Sequence, residues 1–169
     1  MNDFAVYEEL GFEGFKSVSE LMDSVDVVPD KKGIYMVLRV ATSVPVFVEQ
    51  GTGGFFKKKN PNVTIQELEK NWIAGELILY IGKAGGTKKD GTASEVTLQE
   101  RIALYMCFGQ GKPVGHWGGR LIWQLEDAKD LIVCWKVLEK EEPREEEKKM
   151  IQAFKKQHEG KRPFANLQD

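Results

Sequence analysis

Apolar residues recur along the chain in two rhythms, a helical one and a strand-like one of alternating or continuous runs. Residues 17–25 (SVSELMDSV) place Val18, Leu21, Met22 and Val25 on one helical face, and Ser17 with Glu20 supplies a capping box. Thr64 and Glu67 repeat that signature ahead of a helix over 64–72. Residues 98–108 (LQERIALYMCF) predict a helix stopped by Gly109, and 143–158 a helix with Pro143 in its first turn and acids crowding its start. The strand-like runs are 33–40 (GIYMVLRV), 44–48 (VPVFV, with Pro45 marking an edge), 77–82 (LILYIG) and 131–138 (LIVCWKVL). The last is almost continuously apolar, as a central strand should be. Residues 29–33, 85–97, 115–120 and 160–166 read as turns or loops, and 121–125 as a short apolar element. This order lacks the strict alternation of a doubly wound fold. It predicts a single α+β domain over 1–169, a small, mostly antiparallel central sheet flanked by helices, with an N-terminal helical extension at 1–30 and an insertion at about 41–76.

Composition narrows the class. The chain is 41% hydrophobic and 30% charged, without a low-complexity tract. It has no apolar run long enough to span a membrane and no signal-peptide pattern at its acidic start. Cys107 and Cys134 sit in apolar surroundings and read as buried thiols of a reducing compartment, so a cytoplasmic location is expected. The net charge of −2 argues against a nucleic-acid binder, but its distribution does not. Residues 31–121 hold 13 Lys/Arg against 7 Asp/Glu. A basic middle between acidic ends can present a positive groove to phosphates, although charge also varies along chains without function.

Candidate chemistry lies in five ordered pieces: Gly33-Ile34-Tyr35 at a strand start; Tyr80-Ile81-Gly82-Lys83-Ala84 at a strand end; Arg101 and Tyr105 one turn apart; Glu147 ahead of Met150 and Ile151; and Asn166 near the end of the chain. Each alone is weak. Together, over about residues 33–166, they resemble the GIY-YIG nuclease family, and YIGKA followed by a helical R-x-x-x-Y is similar to the excision-repair nuclease subunit of that family. The resemblance implies a metal-dependent endonuclease that hydrolyses phosphodiester bonds of nucleic acid, most simply DNA, with Mg²⁺ or Mn²⁺.

By the same resemblance, Tyr35 helps take a proton from the attacking water, and Tyr80 orients water or phosphate or shares the base role. Arg101 holds non-bridging phosphate oxygens through its planar donor fork. Glu147 is the lone protein carboxylate on the metal, with Glu146 as the alternative; one carboxylate plus water plus phosphate suits Mg²⁺. Lys83 and Tyr105 would be further phosphate contacts, and Asn166 would position Glu147 or the motif-bearing strand. His116, in Gly115-His116-Trp117-Gly118-Gly119, either touches substrate or is structural; His158 reads as a helix-end residue. Without the family pattern, the tyrosines would be ordinary strand aromatics, Arg101 a solvated helix residue, and the glutamates a favourable helix start.

The chain departs from the family in spacing. Tyr35 and Tyr80 stand 45 positions apart instead of across a short hairpin, and the intervening segment carries Phe55-Phe56-Lys57-Lys58-Lys59. That cluster reads either as a nucleic-acid contact or as a solvated loop with tucked-in aromatics. Lys88 and Lys89 are further candidates to flank a cleft. Substrate choice would come from the insertions, a homodimer or a partner protein. The competing class is a non-catalytic nucleic-acid or protein-binding module on the same scaffold.

Overall fold

The computed structural model describes residues 4–168; residues 1–3 and 169 of the expected domain lie outside that range. The architecture is α+β. Four antiparallel strands lie in the order β1 (Glu13–Ser17), β6 (Ile132–Val137), β2 (Gly33–Leu38), β3 (Ile78–Ala84). Around them run α1 (Ala5–Glu9), α2 (Val18–Asp23), α3 (Ile65–Asn71), α4 (Leu98–Gly109) and α5 (Pro143–Gln157), with a two-residue hairpin of β4 (Gly86–Thr87) and β5 (Ala93–Ser94). No described helix is long and apolar enough to cross a membrane.

All six residues of β2 are buried, because the sheet is covered on both faces. The period-2 alternation of a strand sends Tyr35 and Val37 toward the core that includes Leu98, Ile102 and Tyr105 of α4. It sends Ile34, Met36 and Leu38 toward a second cluster with Ile151 of α5 and Phe12. This explains why the run 33–38 shows no polar face. Ser17 and Thr97 close complete capping boxes with Glu20 and Glu100; Thr64 accepts from the Glu67 N–H at 3.2 Å, but the reciprocal half of that expected box is not formed.

Two expectations are corrected. The segment 1–30 is not purely helical, since β1 pairs with β6 at the sheet edge. Its pairing is broken by a bulge, with Gly14 and Phe15 both at positive φ, and a Cβ on Gly14 would meet Trp135 Cη2 at 2.5 Å. A five-residue strand containing such a bulge carries no alternating signature. Residues 44–48 form no strand: only Phe47 bridges, to Leu125, while Val44 and Val46 stay exposed beside a proline that cannot donate. The expected short apolar element at 121–125 is there as a buried 3₁₀ turn, Arg120–Gln124.

The insertion is bound to the core by two buried polar side chains. Arg39 donates to Asp127 Oδ2 at 2.9 Å and to the Ser43 carbonyl at 2.8 Å. Gln124, 1% exposed, donates to the Val63 carbonyl at 2.8 Å and the Val48 carbonyl at 3.1 Å and accepts from the Val63 N–H at 2.9 Å. Replacing Gln124 with Leu strands these three backbone groups, and each unmet buried group costs about 1 kcal/mol or more. The expected loss is about 3 kcal/mol in urea denaturation. A loss well under ~1 kcal/mol would show that the amide is not what fastens the insertion.

Candidate active site

A cleft of about 850 Å³ opens along the free edge of β3, between α4 and α5 and under residues 115–118. Its lining brings together Tyr35, Tyr80, Lys83, Arg101, Glu147 and Asn166, which are spread over more than 130 positions of sequence. The expected substrate contacts Tyr105 and His116 are not in that lining. Both are 0% exposed and lie behind the cleft wall, so the expectation of direct contact is corrected.

The register of β2 against β3 builds the floor. Tyr35 pairs with Gly82 and Val37 with Tyr80, so Tyr35, Tyr80 and Gly82 share one face and the two tyrosines are diagonal neighbours. The Tyr35 ring lies across Gly82, where an added Cβ would come within 2.6 Å of Tyr35 Oη. Gly82 is therefore required by space. Tyr80 is 7% exposed and Tyr35 is 0% exposed, so Tyr80 is the outer hydroxyl and Tyr35 the inner one.

Behind them, residues 115–119 fold onto α4. The Arg101 guanidinium donates to the Gly115 carbonyl at 2.9 Å, and Tyr105 Oη donates to the Gly119 carbonyl at 2.6 Å. His116 stacks flat on Tyr105 at 3.6 Å, and its Nε2 lies 2.6 Å from Tyr35 Oη. Nδ1 of the same ring is buried without a hydrogen-bond partner. A neutral imidazole that faces the hydroxyl through Nε2 can accept the Tyr35 proton there. Burial first, then Arg101, pushes the His116 pKa well below its usual value, so the ring is neutral.

Desolvation dominates the rest of the site. It raises Tyr35 to about 12, with Arg101 opposing and Glu147 adding to the rise, and carries Tyr80 and Tyr105 well above the usual phenol range. Glu147 is lifted to about 7 by burial, against the lowering pull of Lys83, Arg101 and Arg144. Glu146 does not line the cleft and pairs with Lys149 at 3.3 Å, which separates the two glutamates left open by sequence. Glu147 sits one turn before Ile151, whose burial under the sheet orients that face of α5.

Asn166 holds the edge of β3. Its side chain accepts from the Ile81 N–H and donates to the Ile81 carbonyl, both at 2.9 Å, standing in for a neighbouring strand at the point where the motif needs to stay straight. Sequence reading missed the extent of the charge. Lys83, Lys88, Lys89, Arg101, Arg144 and Lys148 all line the cleft, against Glu147 as the one carboxylate among the described residues. It also missed that His116 belongs to Tyr35; the signal available was a histidine amid glycines, of which Gly119 would collide with Tyr105 Cζ at 2.8 Å if it carried a Cβ. His158 does end α5, its Nδ1 donating to the Phe154 carbonyl at 2.7 Å and its Nε2 to Glu76 Oε2 at 2.8 Å.

These features define an α+β domain with a cationic cleft. No protein-family model, curated protein or solved structure gives a match to this chain.

The raised Glu147 pKa has a stability consequence. The folded chain holds this proton up to about pH 7, whereas the ordinary value is 4.5. Between those values the folded state binds more protons than the unfolded one, so stability falls as pH rises through that window, and the penalty is complete above it. Glu147→Gln removes the penalty. In chelator, the variant is expected to melt higher than the parent at pH 8 and alike at pH 4. An equal gain at both values would show that the carboxylate charge is not the cause.

Proposed function

We propose that this chain is a metal-dependent endonuclease of the GIY-YIG kind, hydrolysing phosphodiester bonds of nucleic acid. The observation that carries the reading is the convergence, in one cationic cleft, of two tyrosines, an arginine and a single buried carboxylate. Six cations facing one carboxylate suit a polyanion, and a low-dielectric wall strengthens their field.

A divalent cation fits the donor set. Glu147 is the one lining carboxylate, and burial leaves its charge incompletely compensated by the neighbouring bases. No group of three or more His, Cys, Asp or Glu side chains suited to a metal occurs among the described residues, so Glu147 would hold the ion together with water and substrate oxygens. When bound, such an ion polarises a phosphoryl oxygen and acidifies water. Arg101, anchored on the Gly115 carbonyl, keeps its remaining donors available for a non-bridging phosphate oxygen, and Lys83 adds a point charge on the same strand as Tyr80.

The hydroxyls supply a route for the proton. A phenol near 12 is almost wholly protonated at neutral pH, so neither tyrosine serves as a standing base. Tyr35 can take the proton of the attacking water only as its own passes to His116 Nε2, 2.6 Å away and the neutral base at the inner end, while Tyr80 orients the water. Water oxygen then bonds phosphorus as the bond to the leaving oxygen breaks, and that oxygen takes a proton from solvent in the open cleft. The charge left on His116 is opposed by burial and by Arg101, so the proton returns promptly.

The test is cleavage of plasmid, single-stranded, branched and RNA substrates with Mg²⁺, Mn²⁺ or chelator. Metal-dependent cutting is expected, lost by at least ~100-fold in Tyr35→Phe, the lower range for general base catalysis. His116→Gln keeps an acceptor toward Tyr35 but cannot take a proton; it should lower kcat with KM unchanged. Folded protein that binds nucleic acid equally well in chelator and cuts nothing would instead support the second reading, a binding module, which the same six cations would serve.

A further inference from the structure

The insertion carries a feature that folding alone does not favour. Phe56 and Lys59 bridge across a two-residue turn, with the Lys59 N–H donating to the Phe56 carbonyl at 3.0 Å. The two central residues, Lys57 and Lys58, have φ of 52° and 64°. Both are left-handed, the conformation of a type I′ turn, where asparagine and glycine are strongly preferred and a lysine is strained. All three lysines are exposed, and none makes an ion pair or side-chain hydrogen bond among the described residues. Position gives them a use. Phe56 lines the same cleft as the cations, close to Gly115, whose carbonyl holds Arg101. Lys57 Nζ stands 5.3 Å from the Phe56 ring centroid, and Phe55 is 50% exposed beside it. The rim of the cleft thus presents an aromatic surface followed directly by two cations at a turn tip.

Resting on the nuclease reading, we propose that the insertion is the exit platform for the substrate strand: a nucleotide flanking the cleft lies unpaired against Phe56, and the next phosphate meets Lys57 and Lys58. An aromatic ring accepts the face of an unstacked base, which a duplex interior does not offer, so the flank is single-stranded. A strained Lys-Lys turn in place of the relaxed Asn-Gly is the arrangement expected where charge at the tip matters more than local stability.

Substitution separates the two terms. The double variant Lys57→Asn/Lys58→Gly relieves the strain and removes both charges; Lys57→Gln/Lys58→Gln removes the charges and keeps the strain. Binding of a fluorescein-labelled 12-nucleotide oligothymidine and of a blunt duplex of the same length is measured in chelator at low salt, with melting temperatures alongside. The Asn-Gly variant is expected to melt higher, by about 3 °C, and to bind the single strand at least five-fold more weakly. Its slope of log affinity against log salt should fall by about 0.7, the value for one phosphate contact on a single strand. The Gln-Gln variant should bind as weakly without the gain in stability. Single-strand binding unchanged in both variants overturns the platform. An equal loss on the blunt duplex overturns its unpaired flank. If the parent chain binds neither oligonucleotide at low salt, the nuclease reading itself fails and takes the platform with it, whereas normal parent binding with unaffected variants sinks the platform alone.

Discussion

The antiparallel pairing of β2 with β3 is the constraint on which the site depends. Because Tyr35 pairs with Gly82, the only residue that can stand beside the Tyr35 ring is one without a side chain, and Tyr80 two positions earlier falls on the same face. A slip of β2 by one residue would turn Tyr35 into the α5-facing cluster, parting it from Tyr80, and bring Ile34 to the cleft. Burial on both faces of β2 makes that slip costly, since every position on the strand is already committed to one side. The edge of β3 has no strand neighbour beyond it. Asn166 and the Ala165 N–H supply the missing partners at Ile81 and Leu79, which keeps the motif-bearing strand extended where a cleft would otherwise leave it unpaired.

Placing three phenols and an imidazole in a core requires hydrogen-bond partners, and residues 115–119 provide them. Their irregular path follows from this work. Regular structure would spend the Gly115 and Gly119 carbonyls on its own ladder, whereas here they receive Arg101 and Tyr105. The flat stack of His116 on Tyr105 then fixes the imidazole so that Nε2 can only face Tyr35. Held by contacts on several sides, the inner hydroxyl is positioned by packing and does not depend on a flexible loop.

Much of the fold was legible because local rules and tertiary needs agree. The five helical or strand runs at 33–40, 77–82, 98–108, 131–138 and 143–158 carry clear periodicity, caps or a starting proline, and the structure follows them to within two residues at each end. Legibility failed where long-range contacts override the local pattern. β1 forms only because β6 offers an edge and Trp135 needs the space left by Gly14. Residues 44–48 look strand-like by composition, yet the stretch they meet, around Gln124, turns in 3₁₀ fashion and gives them a single bridge. At the site, residue types at motif spacing identified the groups that reach the cleft. They did not reveal depth, so Tyr105 read as a contact and His116 stayed open when both are supports, and the cations Arg144 and Lys148 of α5 were not singled out.

Charge ties these levels together. The whole chain is slightly acidic, at −2, but the cleft collects six cations around one carboxylate, so a polyanion would meet a local field opposite in sign to the average. Glu147 nevertheless titrates near 7, because removing it from water outweighs the pull of Lys83, Arg101 and Arg144. A phosphate entering the cleft would add negative charge and disfavour the ionised carboxylate further, since like charges raise each other's proton affinity. Under the proposed function, phosphate and carboxylate are therefore mutually repulsive until a divalent cation joins them. Substrate and metal would each improve the other's binding, with Glu147 as the group through which that coupling acts.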